Sequence, residues 1–127
     1  MKKIVLSLFL GLVMVLPTLA QDAEGASIKF AVSEHDFGDV KQGEKVTHVF
    51  SFTNEGKAPL LISNIVTTCG CTAPSYPKEP IMSNETGEVT IVFNTQGKMG
   101  IQNKIITVYT NGTEPQVRIK IKANVVP

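Results

Sequence analysis

The fold of this chain is decided near its C-terminal end, by the stretch NKIITVYTNGTEPQVRIKIKANVV at residues 103–126. Two segments, Asn103–Thr110 and Gln116–Val126, alternate apolar and polar side chains with the period of two that is typical of half-buried strands. Asn111-Gly112 lies between them, and this dipeptide is the strongest short-range signal for a β-hairpin. The stretch therefore predicts two antiparallel neighbours in a sheet.

The same period recurs upstream, with turn residues between the segments. In one segment His48 shares a face with apolar side chains on both sides of it. Another is β-branched and mostly apolar, which favours a central strand. The four upstream segments are Ile28–Ser33, Lys45–Thr53, Leu60–Thr68 and Glu88–Asn94.

Two stretches break the strand pattern. His35–Asp39 is predicted to form a turn, with Gly38 marking the bend. Ala73–Gly87 holds three prolines, and a residue without a backbone N–H cannot complete a sheet ladder. We therefore predict that this stretch is a loop rather than a strand.

Together these patterns predict an all-β chain, a single Ig-like antiparallel β-sandwich of about seven strands. The 127 residues suffice for one domain. No helical period of 3.6 is found after the N-terminal segment, and short strands with Gly, Pro and Asn turns favour a sandwich or barrel. The chain has no Trp and so lacks the Cys…Trp…Cys pattern of antibody domains.

The N-terminal segment has the pattern of a signal peptide. Positive Lys2 and Lys3 precede a mostly apolar run, and small residues follow it up to Ala20. This predicts a signal peptide at residues 1–20, a disordered leader at 21–27 and one domain at 28–127. The apolar run is too short to span a bilayer. The mature chain is thus expected to be exported, periplasmic or extracellular, without a membrane span.

Charge excludes polyanion binding. Twelve basic and eleven acidic residues give a net charge of +1, and removal of Lys2 and Lys3 with the signal peptide leaves −1. A near-neutral chain has no electrostatic reason to bind nucleic acid.

Four groups of residues resemble the signatures of a known family. They are His35-Asp36-Phe37-Gly38, then Phe52–Gly56 with Pro59–Ile62, then Cys69-Gly70-Cys71-Thr72, and last Phe93-Asn94 with Gly97-Lys98 and Gly100. In this order they resemble a bacterial family of exported Ig-like domains of unknown function, common in Bacteroidetes. That family is distantly similar to Hydin-type (ASH) and PapD/MSP-like sandwiches. The resemblance implies fold and export, and it supplies no catalytic residues.

Cys69 and Cys71 are the only reactive-looking pair, and three interpretations remain open. The pair can be structural, whether bridged or as buried thiols, before the Pro-rich loop. A strained exposed bridge would instead be labile and suited to redox chemistry. Two thiolates with His48 or His35 would suit a soft metal such as Cu(I).

The remaining candidates are single residues and one charged row. His35 is interpreted as a turn residue and His48 as a core or boundary histidine. Arg118, Lys120 and Lys122 form a cationic face on the last strand, interpreted as a solvated face. The best predicted contact surface is the Pro-rich loop, which backbone hydrogen bonds are not expected to fix and which carries Tyr76, Ile81 and Met82.

These observations favour a non-enzymatic protein without a cofactor. No catalytic motif is present. We expect an exported Ig-like module that binds or scaffolds proteins of the cell envelope, or itself, through the Pro-rich loop or a sheet edge. The alternative is a small thiol-redox or copper-handling protein that uses Cys69 and Cys71. Partner identity and oligomeric state are left open.

Overall fold

The structure, a computed structural model, describes residue 11 and residues 25–127. The predicted signal peptide, apart from Gly11, and residues 21–24 lie outside the described residues. Eight strands follow one another in the chain. They are β1 (Ile28–Phe30), β2 (Glu34–Lys41), β3 (Lys45–Asn54), β4 (Ile62–Thr67), β5 (Thr72–Ser75), β6 (Thr86–Asn94), β7 (Gly100–Thr110) and β8 (Gln116–Val126).

The strands form two four-stranded sheets, in the orders β1-β3-β6-β5 and β2-β8-β7-β4. This confirms the predicted all-β sandwich, with six of the eight strands where the alternation placed them. β7 and β8 pair antiparallel from Tyr109↔Gln116 onward, so the predicted hairpin is confirmed. Its loop is longer than two residues. Asn111 accepts a hydrogen bond from the N–H of Leu61 (2.8 Å) and thereby ties the loop to the start of β4.

The core lies between the sheets, where alternate side chains of facing strands meet. Each of the long strands buries every second residue, as a period of two requires. The most deeply buried large side chains are Phe50, Phe52, Phe93, Leu60, Ile91, Ile106, Ile119 and Ile121.

The prediction of a turn at His35–Asp39 is wrong, because these residues belong to β2. β2 runs parallel to β8, whereas the other strand pairs of the sandwich are antiparallel. The register shifts between Asp36 and Asp39, and Gly38 there has a φ of 69°. A β-bulge adds one residue to a strand without ending it. A glycine in such a bulge therefore looks like a turn residue when only the sequence is considered.

Two other expectations about strands are corrected. Leu60–Thr68 was predicted to be central, but β4 is the last strand of its sheet. Pro74 was expected to exclude strand structure, yet it lies in β5 opposite Ile91. β5 is also an edge strand, where a residue without an N–H can point its nitrogen away from the ladder. Both errors concern β4 and β5, the edge strands on one side of the sandwich.

The predicted disordered leader ends earlier than residue 27. Ala26 is buried, and the Gly25 carbonyl accepts a hydrogen bond from the N–H of Lys57 (3.1 Å). The backbone N–H of Ser27 donates to the side-chain oxygen of Asn54 (3.1 Å). These contacts fix the chain one to three residues before β1 begins.

Candidate functional site

The cysteine pair lies where the chain passes from one sheet to the other. Cys69 and Cys71 are joined by a disulfide, with Cα atoms 5.3 Å apart, in the four-residue link between β4 and β5. The Thr67 hydroxyl donates to the Cys69 carbonyl (2.9 Å), and the Cys71 carbonyl accepts from the N–H of Asn94 (2.8 Å). Hydrogen bonds from both sheets therefore hold this corner in addition to the bridge.

An uncharged side of the sandwich extends on both sides of that corner. No residue from Ala58 to Pro77 is Asp, Glu, Lys or Arg, a run of twenty in a chain that is 18% charged. We call residues 58–77 the uncharged side. The run contains β4 and β5, the two edge strands that follow one another across the corner. The opposite edges of the two sheets are β1 and β2. In contrast to the uncharged side, β2 carries three acidic residues.

Exposed apolar side chains lie on the outer face beside β4. Val66 is 46% exposed, and Ile105 on the neighbouring strand β7 is 42% exposed. Val66 lies opposite Thr107, which places Ile105 diagonally next to it on the same face. An exposed apolar residue on an edge strand can be covered by an incoming strand.

The Pro-rich loop is fixed more firmly than expected. Leu60 and Ile81 exchange two backbone hydrogen bonds (2.8 and 2.7 Å), which corrects the expectation that backbone bonds leave this loop free. Tyr76 and Ile81 pack against the core, and Lys78 lies 3.4 Å from the centre of the Tyr76 ring. Met82 is the exposed member of the predicted contact surface, at 51%.

The two histidines meet between the sheets. His35 on β2 stacks on His48 of β3, with ring centroids 3.6 Å apart and planes 8° from parallel. Phe37 meets His35 edge-on, and Phe50 meets His48 in the same way, both at 4.6 Å. The pKa of His48 is lowered, first because burial disfavours the imidazolium and second because a charge on His35 would repel it.

This geometry predicts that acid weakens the fold. In the unfolded chain His48 binds a proton near its ordinary pKa of 6.5, whereas the folded protein resists protonation until a lower pH. The stability that His48 contributes is therefore fully present above the unfolded pKa and is lost as the pH falls through the folded pKa. We expect urea unfolding to give a smaller free energy at about pH 5 than at about pH 7.5. His48→Gln should show a smaller drop, and an equal drop in the variant would contradict this assignment.

The described residues contain no group suited to a metal ion, and the cationic row of β8 lies beside the acidic strand β2. Among residues 25–127, no three His, Cys, Asp or Glu side chains are close enough together to hold a metal ion. The cationic row is flanked by acids that sequence reasoning missed, since Glu34 lies beside Lys120 and Asp36 beside Lys122. No helix in that same part of the chain is suited to crossing a bilayer.

Sequence reasoning also missed the uncharged side as a unit. The run of twenty uncharged residues was visible, but its significance depends on β4 and β5 being the edges of the two sheets. An apolar run alone does not distinguish an edge strand from a central one.

Comparison with models of protein families identifies a match. The profile of a family described as "Protein of unknown function (DUF1573)" matches residues 28–125. A search of curated proteins finds no significant match.

Comparison with solved structures shows the fold. A protein of unknown function from Porphyromonas gingivalis W83 is 20% identical, with a TM-score of 0.71 over 84% of this chain and 50% of that one. This chain therefore spans half of its length. The ASH/PapD-like domain 7 of human CEP192 is 12% identical, with a TM-score of 0.65 over 89% and 93% of the two chains. WR4, an MSP family member from C. elegans, is 11% identical, with a TM-score of 0.51 over 78% and 97%. The expected likeness to ASH, PapD-like and MSP-like sandwiches is confirmed.

Proposed function

This chain belongs to the family described as "Protein of unknown function (DUF1573)", and from that premise we propose that it acts as a non-enzymatic, exported module that binds proteins. The binding site is the uncharged side, and the mode is addition of a partner's strand to the free edge of β4. The observation that carries this proposal is the absence of charge from Ala58 to Pro77, where both sheets end.

The edges of native sheets usually carry features that prevent pairing with another chain, such as charge, proline, bulges or short length. All four edges here have at least one of these features, but charge, proline or very short length protects only three of them. β1 has three residues, β5 has four with Pro74 among them, and β2 has a bulge and acidic residues. β4 has a register shift between Ile62 and Asn64, and the Asn64 side chain accepts a hydrogen bond from the backbone N–H of Ile65 (2.9 Å), but from Asn64 to Thr67 the strand is regular and uncharged.

Strand addition suits the chemistry of this edge. The backbone groups of a free edge strand supply hydrogen bonds to an added strand, and alternate side chains give specificity. Val66 and Ile105 would cover apolar side chains on the outer face of the incoming strand. We therefore expect the partner segment to be extended, uncharged and apolar at alternate positions.

The disulfide corner supports this site without performing chemistry. The bridge closes a loop of three residues, for which the loop-entropy relation gives at most about 1.6 kcal/mol of stabilisation. It lies in the link between β4 and β5, so it stiffens the segment that connects the two uncharged edges. A disulfide also fits the oxidising environment outside the cytoplasm, to which removal of residues 1–20 would deliver the chain.

Photo-crosslinking in the producing cells tests the proposal. A photoreactive amino acid at Val66 should yield an adduct with another polypeptide. The same residue at Val49 is the control, because Val49 is similarly exposed (42%) but lies on β3, inside the other sheet. Adducts from position 66 and not from position 49 support binding at β4. Equal yields from both positions, or none from position 66, would reject it.

A further inference from the structure

Asn111-Gly112, in the loop between β7 and β8, is a chemically reactive pair. It is the one place in the sequence where glycine follows asparagine. The backbone nitrogen that follows an asparagine can attack the side-chain amide carbon, and glycine hinders this attack least because it has no Cβ. The new C–N bond closes a succinimide ring, and the side-chain nitrogen leaves as ammonia with the proton that the backbone nitrogen gives up. Water then opens the ring to aspartate or isoaspartate.

The folded loop restrains both reacting groups. The Gly112 N–H donates to the Thr110 hydroxyl (3.0 Å), and this bond must break before the nitrogen can attack. The amide nitrogen of Asn111 donates to the Pro59 carbonyl (3.1 Å), and this bond is lost with the ammonia. The amide oxygen accepts from the N–H of Leu61 (2.8 Å), a bond that ring closure can keep. The reaction therefore removes two hydrogen bonds of the folded chain, whereas an unfolded chain exchanges such bonds with water.

The neighbouring main chain opposes the products as well. The Thr113 N–H donates to the Ala26 carbonyl (3.0 Å), and a Cβ at residue 112 would lie 2.7 Å from the same oxygen. The loop thus lies directly against the segment before β1. Isoaspartate adds a carbon atom to the backbone between residues 111 and 112, which would push the loop against that segment. Aspartate would turn a carboxylate oxygen, in place of a donor, toward the Pro59 carbonyl.

From these contacts we infer that Asn111 is a site of spontaneous deamidation that folding suppresses, so that the modification marks chains that have been unfolded. The inference goes beyond the proposed function, because the reaction needs only water and takes place away from the free edge of β4. Deamidated copies lose the bond from residue 111 to Pro59, one of the contacts that attach the loop to the start of β4.

Peptide mapping of the purified protein, kept at mildly alkaline pH either in native buffer or in unfolding urea, tests the inference. Trypsin releases residues 105–118, in which Asn111 is the only asparagine, and mass spectrometry gives the deamidated fraction of this peptide. We expect deamidation to be at least about tenfold slower in the folded chain than in urea. Thr110→Val removes the hydroxyl that accepts from Gly112, and it should speed the reaction of the folded chain.

Ile91→Val controls for lost stability, because it weakens the core of the other sheet and leaves the loop intact. The two variants are compared at urea concentrations that give them the same free energy of unfolding. Thr110→Val should then deamidate faster than Ile91→Val. Equal rates for these variants, equal rates for the folded and unfolded wild-type chain, or no deamidation in either state would overturn the inference.

Discussion

Replacing Asn54 with alanine should lower the free energy of unfolding by about 3–5 kcal/mol. Asn54 is completely buried, yet all four of its side-chain hydrogen-bonding positions are used. Its amide nitrogen donates to the carbonyls of Ala58 (2.8 Å) and Ile81 (2.9 Å). Its oxygen accepts from the N–H groups of Ser27 (3.1 Å) and Gly56 (3.0 Å). Alanine would leave these four backbone groups without their partner in a site that side chains exclude from water.

Urea denaturation of Asn54→Ala beside Asn103→Ala checks this prediction. Asn103 is exposed on β7, so its removal should change stability by less than about 0.5 kcal/mol. Asn54→Asp adds a sharper comparison, since it keeps the acceptor and turns a carboxylate oxygen toward two carbonyl oxygens. That variant should be less stable than wild type at neutral pH and should recover partly in acid, where its protonated carboxyl can donate. Similar losses for the alanine variants at 54 and 103 would show that Asn54 is not a structural centre.

Gly56→Ala should cost about 3 kcal/mol, because backbone atoms already occupy the space of its side chain. A Cβ at residue 56 would lie 2.6 Å from the nitrogen of Ser27 and 2.7 Å from the carbonyl carbon of Ala26, and nearer still to Gly25. The main chain cannot rotate away from the added methyl group, as a side chain could. The segment before β1 would have to leave its position against the turn after β3.

Gly70→Ala is the matched control, since a Cβ at residue 70 meets no atom within 4 Å. Its free energy of unfolding should differ from wild type by less than about 0.5 kcal/mol. Amide hydrogen exchange adds a local measurement. In Gly56→Ala the amides of residues 25–28 should exchange faster, and unchanged protection there would mean that the segment tolerates the added methyl group.

The sequence was sufficient for the strands whose side chains alternate, because burial of one face imposes the period of two directly. It was insufficient for β2. The bulge at Gly38 interrupts the alternation of side chains there, yet parallel pairing with β8 still stabilises this segment as a strand. It was also insufficient for Asn54, since an asparagine at the end of a strand usually marks a turn. Four backbone partners, two of them 27 residues away along the chain, make this one a buried hydrogen-bonding centre.

The candidate site shows the same division between local pattern and topology. The cysteine pair and the uncharged run from Ala58 to Pro77 can be read from the sequence. That β4 ends its sheet cannot, because an edge strand and a central strand can share one composition. Val66 becomes a candidate binding residue only because of this placement. Inside a sheet it would be an ordinary strand residue, whereas at a free edge it is exposed to an incoming chain.

Amide hydrogen exchange of β4 in the presence of the protein that crosslinks to position 66 tests the central claim most directly. If an added strand occupies this edge, the amides of residues 65 and 67, which point away from β7, should exchange more slowly in the wild-type chain than in Val66→Lys, while those of β2 should exchange equally in both. Equally rapid exchange of these two amides in both proteins would contradict the account.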